Sequence, residues 1–186
     1  TQLNVWPYAA SVTGQIRLSD FRKKSGQVDF SANAQSKEQW VDFLMMLPTS
    51  SKYGKSPIAI YGHGVGVIKE TMLMTVGYTN ATNGIATIAI DQPNHGSRSE
   101  QDGGNVFKIL NPEKFSYLSG MVVQSTLDMS SLLVAIKTSM SDLDVAPSGN
   151  AWWHRFWYSG GFAVPDIDID NIHYQGTSMG GVLSTS

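Results

Sequence analysis

A nearly continuous apolar run, residues 85–90 (IATIAI), ends at Asp91 and constrains the fold more than any other segment of the chain. The run is too short for a core helix and lacks the alternation of a half-buried strand, so it predicts a strand buried on both faces. Such a strand requires a covering layer on each side, as in a parallel sheet flanked by helices. The run therefore favours an α/β architecture.

Other strand-like runs alternate with helical patterns along the chain. They predict strands at residues 14–18, 41–47, 57–61 and 171–175. A short helix is predicted at about 67–76, and a long amphipathic helix at about 118–136, where apolar residues recur at spacings of three and four. The order strand, strand, strand, helix, strand, helix, strand predicts a mostly parallel sheet with helices on both faces.

The composition narrows the range of functions. Hydrophobic residues make up 41% of the 186 residues and charged residues 15%, which is typical of a globular chain with one domain core. A net charge of -2 and the lack of a long basic run argue against a nucleic-acid partner. The absence of cysteine excludes disulfides, zinc–thiolate sites and a cysteine nucleophile.

The cellular location is less constrained by the sequence. Low charge and abundant Ser, Thr, Asn and Gly favour a secreted or cell-envelope protein, and a cytoplasmic location stays open. No stretch approaches the roughly 18–20 apolar residues that cross a bilayer, so no membrane span is predicted.

The pattern Gly-x-Ser-x-Gly lies in residues 176–181 (GTSMGG), directly after the predicted strand at 171–175. A serine at the apex of so tight a turn presents its hydroxyl above the sheet. Side chains two positions before and after it would collide, so Gly176 and Gly180 suit those positions. We therefore expect a strand–turn–helix elbow with Ser178 as the nucleophile.

Two further turns follow predicted strands. His63 and Gly64 come after the strand at 57–61, where a His-Gly turn lets the backbone approach a substrate. Residues 91–97 (DQPNHGS) come after the strand at 85–90. The carboxyl ends of parallel strands meet at one edge of a sheet, where ligands bind in open α/β folds. We expect the three turns to meet at that edge.

With these three turns in this order, the chain resembles serine α/β-hydrolases, and more loosely bacterial extracellular esterases and lipases. The resemblance runs from the strand that ends at Pro48 to the elbow. It implies the α/β-hydrolase fold, with residues 1–186 forming the amino-terminal part of a single domain.

The same resemblance assigns roles to individual residues. It implies that Ser178 is the catalytic nucleophile and that the amides of Val65 and Met179 form the oxyanion hole. The residues that shape the elbow and pocket turns are Gly176, Gly180, His63 and Gly64.

The triad partners of Ser178 are missing from the expected place. The family order is Ser, then an acid, then His, yet only eight residues follow Ser178 and none is acidic or histidine. The four histidines that precede it are His63, His95, His154 and His173. We expect the acid and the base, with the carboxy-terminal strands and helices, to lie on a continuation of the chain or on a second chain.

A dense aromatic cluster, residues 152–158 (WWHRFWY), lies within the segment 141–165 between the long helix and the elbow strand. One interpretation is an inserted cap that lines an acyl pocket or contacts a lipid interface. The other, slightly favoured, is a connector that buries its rings against the domain.

A calcium site is the other hypothesis that the acidic residues suggest. Asp166, Asp168 and Asp170 are spaced like oxygen ligands, but an EF-hand loop would carry Gly and Glu where Asn171 and Thr177 stand. A polar approach to the strand is favoured, and no metal is predicted.

Together these features predict a serine hydrolase of carboxylic, acyl or lipid esters that works through an acyl-enzyme without a cofactor. The expected partners are a small-molecule or lipid ester, the rest of the catalytic unit and a membrane surface. Two alternatives stay open. One is a non-catalytic binding or assembly subunit with a hydrolase half-fold, and the other is a peptidase or acyltransferase that uses the same nucleophile.

Overall fold

The computed structural model describes residues 7–102, 104, 106–108, 115–146 and 165–183. Five strands form one sheet, and their bounds are β1 Tyr8–Asp20, β2 Lys37–Pro48, β3 Ser56–Gly62, β4 Ala86–Ile90 and β5 Ile167–Gly176. The helices are α1 Gly77–Thr82, α2 Arg98–Gln101, α3 Phe115–Thr138 and α4 Met179–Val182. Short 3-10 turns cover Thr49–Lys52, Lys69–Leu73 and Val106–Lys108.

The sheet has the strand order β1-β2-β4-β3-β5. Strands β3, β4 and β5 pair in parallel, whereas β2 is antiparallel to both of its neighbours. Four of the five strands therefore run in the same direction, and the prediction of a mostly parallel sheet is confirmed. The register pairs Gly62 with Gly176, so the turns that follow β3 and β5 leave the sheet side by side.

The burial patterns of β1 and β4 show why these segments form strands. In β1, exposed Gln15 and Arg17 alternate with buried Ile16 and Leu18, as expected of an edge strand with one solvated face. The central strand β4 is buried at every position, as its continuous apolar run predicts.

The two faces of the sheet are covered by different helices. On one face, Met129, Leu132 and Ile136 of α3 pack against apolar side chains of all five strands. On the other face, Met72 of the 3-10 turn packs with residues of β2, β3 and β4, and α1 lies beside them. The prediction of helices on both faces is confirmed.

The helix predicted at about 67–76 differs from the structure in form and length. A 3-10 turn occupies Lys69–Leu73, and the first α-helix begins only at Gly77. Lys69 is held by Asp91 through both its backbone N–H and its ammonium group, which fixes the start of this segment. The hydroxyls of Thr71 and Thr75 donate to carbonyls three or four residues back, and such bonds compete with regular helix formation.

The expectation that no stretch could span a membrane needs correction for α3. Ser116–Thr138 is long enough for a span, and an 18-residue window within it reaches a mean hydropathy of 1.3. The helix is nevertheless packed on the sheet, and Asp128 within it forms a buried ion pair. The apolar content of α3 is explained by its place in the core. The aromatic cluster at 152–158 lies outside the described residues.

Candidate active site

Ser178 stands between the end of β5 and the start of α4, with φ 55° and ψ -118°. A positive φ is unfavourable for a residue with a Cβ, and such strain persists only where the surroundings enforce it. The Ser178 side chain is exposed, while Met179 and Gly180 just after it are buried. The predicted strand–turn–helix elbow is therefore present, with the serine at its apex.

Two glycines make this turn sterically feasible. A Cβ at Gly176 would overlap the carbonyl oxygen of Gly180, and a Cβ at Gly180 would overlap the carbonyl oxygen of Gly62. The N–H of Thr177 also donates to the oxygen of Gly62, at 3.0 Å. Backbone contact with the start of α4 at Gly176, and with β3 at Gly180, thus leaves no room for a side chain at either position. This explains both glycines of the pattern.

Two tyrosines hold the elbow through hydrogen bonds, and no sequence motif indicates either of them. The Tyr174 hydroxyl donates to the Gly180 carbonyl at 2.9 Å, and the Tyr61 hydroxyl donates to the Thr177 hydroxyl at 3.2 Å. Burial, with a smaller effect of Tyr61, raises the pKa of Tyr174 to about 12, so its hydroxyl stays a donor. Only their positions in strands that enter the turns could have suggested this role.

The turn after β3 lies directly against Ser178. A Cβ at Gly64 would lie 3.3 Å from the Ser178 Cβ and 3.8 Å from its Oγ, so glycine lets the backbone approach the serine hydroxyl. Val65 follows in this turn and is exposed, at 36% of its surface. Met179 begins α4, where a first-turn N–H has no acceptor within the helix. One predicted oxyanion donor, Val65, thus lies in the turn that contacts Ser178. The other, Met179, directly follows Ser178 in the elbow.

Comparison with solved structures identifies the fold. A Bacteroides fragilis protein with the provisional name acetyl xylan esterase matches with a TM-score of 0.51 at 15% identity, over 92% of this chain and 43% of its own. The chain has the α/β-hydrolase fold. No family model matches the sequence, and no curated protein matches it.

Other α/β-hydrolases show the same partial overlap. A cold-adapted esterase from an Arctic intertidal metagenomic library is 17% identical, with a TM-score of 0.47, over 93% of this chain and 55% of its own. A peroxisomal alpha-beta-hydrolase of Saccharomyces cerevisiae is 15% identical, with a TM-score of 0.47, over 95% of this chain and 39% of its own. The chain therefore spans about half or less of the length of these structures.

His63 has a structural role in the turn after β3. Its ring is fully buried, with Nδ1 2.8 Å from the Gly64 oxygen and Nε2 accepting the Gln92 N–H at 2.9 Å. Because a carbonyl oxygen only accepts, Nδ1 carries the proton and the ring is neutral. Burial lowers the pKa of His63 to about 4. His63 lies in the turn after β3, and its role in shaping the site stays a prediction.

Asp91 organises the turn after β4. Its buried carboxylate accepts bonds from Lys69 and from the N–H and hydroxyl of Ser97. Burial alone would raise the pKa of Asp91, but the bonds from Lys69 and Ser97 outweigh it and hold the pKa below its usual range. A Cβ at Gly96 would overlap this carboxylate, which explains the glycine in the segment 91–97.

A buried ionic network lies at the same sheet edge, beyond the turn after β4. The Arg98 guanidinium is fully buried, pairs with Asp128 of α3 and donates to Gln39 of β2 at 2.9 Å. Asp102 nearby pairs with Arg22 at 2.8 Å. Burial raises the pKa of Asp128, and Arg98 opposes this shift. These partners are far apart in sequence, so no motif could have predicted them.

No histidine that the structure describes supplies a general base to Ser178. The ring nitrogens of His63 and His95 are both engaged with backbone groups, and His173 is exposed on β5. His154 lies outside the described residues. The expectation that the triad histidine and acid lie outside these 186 residues stays a prediction.

The three aspartates considered for calcium have other roles or none. Asp166 accepts the N–H groups of Val145 and Ala146, which ties the segment after α3 to the start of β5. Asp168 accepts the N–H of Asp170. Across the described part of the chain, no group of three His, Asp or Glu side chains could hold a metal ion.

Proposed function

We propose that this protein is a serine hydrolase of carboxylic esters that works through an acyl-enzyme at Ser178. The observation that carries the proposal is the positive φ of Ser178, 55°, held by backbone contact between its turn and β3. A strained, exposed serine beside two amide-bearing turns is the arrangement that acyl transfer requires. The α/β-hydrolase fold supports the proposal as an analogy and does not itself define the reaction.

In the proposed reaction, Ser178 Oγ attacks the ester carbonyl carbon and the carbonyl electron pair moves to its oxygen. The amides of Val65 and Met179 donate to this oxyanion. The serine proton passes to a histidine outside this chain and then to the leaving alkoxide, which departs as an alcohol. Water attacks the acyl-enzyme with the same histidine as base and releases the carboxylic acid.

The apolar surroundings of the turn after β3 favour acyl or lipid esters over peptides. Phe107 lies against this turn, since a Cβ at Gly66 would lie 2.7 Å from its Cζ, and 67% of Phe107 is exposed. Other exposed apolar residues of the neighbouring segment are Val67, Ile68, Leu73 and Met74. An apolar wall beside the turn that contacts Ser178 suits a hydrocarbon acyl group. Contact with a lipid surface and a secreted or cell-envelope location remain part of the proposal.

The test is hydrolysis of p-nitrophenyl acetate and butyrate by the native protein and by two variants. Ser178→Ala should abolish turnover above the uncatalysed rate. Ser31→Ala, at an exposed loop serine, should leave it unchanged. Turnover that survives in Ser178→Ala would overturn the proposal. A folded native protein that hydrolyses no ester would favour the non-catalytic binding subunit.

A further inference from the structure

Two buried histidines link the turns that follow β3 and β4. His63 and His95 are 0% and 3% exposed, and their ring centroids lie 4.9 Å apart in an edge-on arrangement, with 65° between the planes. Buried histidines without a partner would destabilise the fold, so their four ring nitrogens require specific bonds. The reaction proposed above uses neither ring.

The bonds of His95 fix its tautomer. Its Nδ1 lies 2.8 Å from the Pro93 oxygen, which only accepts, so Nδ1 must donate. Its Nε2 lies 3.1 Å from the backbone nitrogen of Gly66, and this N–H donates to it. A neutral ring satisfies both contacts at once. A protonated ring would set an Nε2–H donor against the Gly66 N–H donor, and one of them would have to turn away.

The Gly66 end of this bond belongs to the turn beside the nucleophile. Gly66 has φ +79°, in the left-handed region, and it follows Val65 directly. A backbone in this conformation is easily reoriented unless something holds it, because glycine adopts many others. The bond from Gly66 to His95 therefore restrains the peptide units on which the Val65 amide depends.

We propose that His95 is a positioning residue for the oxyanion side of the site, acting as a neutral acceptor that holds Gly66 and thereby orients the Val65 amide towards Ser178. The inference rests on the proposed function, since it assigns the Val65 amide to the oxyanion. The inference goes beyond that function because His95, in the turn after β4, controls the geometry of the turn after β3.

Burial keeps the His95 ring neutral at neutral pH, against the net effect of the charges around it. The groups that face it are His63 from the β3 turn, Asp91 at the end of β4, Arg98 of α2 and Asp102 after α2. Burial lowers the pKa of His95, and its bond to the Pro93 oxygen and the charges of Asp91 and Asp102 only partly offset this effect. The tie to Gly66 is therefore intact at neutral pH and is lost as the pH falls through the depressed pKa of His95.

The experiment compares His95→Gln, His95→Leu and a matched control, His173→Gln, at an exposed histidine of β5. The Gln carbonyl can accept the Gly66 N–H near the position of Nε2, but it cannot be protonated, and Leu offers no acceptor. Turnover of p-nitrophenyl acetate gives kcat and KM. Inhibition by a trifluoromethyl ketone reports oxyanion binding, because its serine adduct carries a negative oxygen.

For His95→Leu we expect kcat to fall about 100-fold with KM within about threefold, as for loss of an oriented oxyanion donor. Affinity for the trifluoromethyl ketone should fall by a similar factor. His95→Gln should retain kcat to within about tenfold of the native value. The control His173→Gln should have the native kcat. A folded His95→Leu with native kcat and native inhibitor affinity would overturn the proposal, and so would equal losses in the Leu and Gln variants.

A second measurement is independent of turnover. In the native protein, the NMR resonance of the Gly66 amide should shift as His95 titrates on acidification, whereas in His95→Gln this transition should be absent. A Gly66 amide resonance that does not shift when His95 is protonated would overturn the positioning role. If the Gly66 resonance titrates as expected but no ester is hydrolysed, the proposed function is overturned. The hydrogen bond from Gly66 to His95 would still be established.

Discussion

The α-carbon of Gly180 faces the carbonyl oxygen of Gly62, and a Cβ on Gly180 would overlap that oxygen. Gly181, the next residue, differs, since its Cβ would meet its nearest neighbour, the Gly176 oxygen, at 3.5 Å. Adjacent glycines in the same helix start therefore have opposite tolerance for a methyl group. This contrast gives a matched pair of variants for the geometry of the elbow.

We expect Gly180→Ala to lower the free energy of unfolding by about 1–3 kcal/mol, the usual effect of forcing a methyl group into a packed site. It should also lower kcat/KM by about 100-fold, because the elbow must move away from β3. Gly181→Ala should be close to native in both. Urea unfolding and ester turnover measure the two effects, and equal behaviour of the two variants would contradict the described contact.

His63 should make stability depend on pH. Its pKa is about 4 in the folded protein against 6.5 for an unperturbed histidine, so the unfolded chain binds more protons between these values. Stability is therefore highest above pH 6.5 and falls towards pH 4, by about 3 kcal/mol for this group alone. Urea unfolding at several pH values should show a shallower loss in His63→Gln than in the native protein. Parallel slopes would contradict the buried neutral ring.

The Arg98–Asp128 pair should be costly to break from one side. Removing one partner leaves the other as an unpaired buried charge. Arg98→Met or Asp128→Leu alone should therefore lower the free energy of unfolding by about 3–5 kcal/mol. The double variant Arg98→Met/Asp128→Leu should recover much of that loss. Arg17→Ala, which breaks an exposed pair with Glu38, should leave the unfolding midpoint nearly unchanged. Additive losses in the double variant would contradict direct coupling.

Phe107 should influence the acyl preference. We expect Phe107→Ala to lower kcat/KM for p-nitrophenyl octanoate about tenfold while changing that for the acetate less, because only a long acyl group reaches the ring. Phe30→Ala, at a more exposed ring elsewhere, is the control. An equal loss for both esters would show that Phe107 supports the Gly66 turn without contacting the substrate.

Periodicity and local pattern predicted much of this fold. The apolar run before Asp91 predicted the buried strand β4, and the glycines at 176 and 180 predicted the elbow, because both depend on short-range sterics. The segment at 67–76 forms only a short 3-10 helix, because the contact between Lys69 and Asp91 is long-range and has no local sequence pattern.

The contacts that support the site could not be predicted either, because they too are long-range. The bond from Tyr174 to Gly180 joins a strand to a helix start, and the bond from Gly66 to His95 joins turns 29 residues apart. Sequence reasoning pointed to Gly176, Gly180 and the turns after β3 and β4, but it could not show which side chains hold them. Such partners are set by the strand order, which brings β3 between β4 and β5.

The most direct test of the central claim is labelling with a fluorophosphonate, which forms a covalent bond only with an activated serine. The native protein, Ser178→Ala and the exposed-serine control Ser31→Ala would be treated at neutral pH, and the adduct located by peptide mass spectrometry. We predict a single adduct on Ser178 in the native protein and in Ser31→Ala, and none in Ser178→Ala. A folded native protein that stays unlabelled, or an adduct on another serine, would contradict the assignment of Ser178 as the nucleophile.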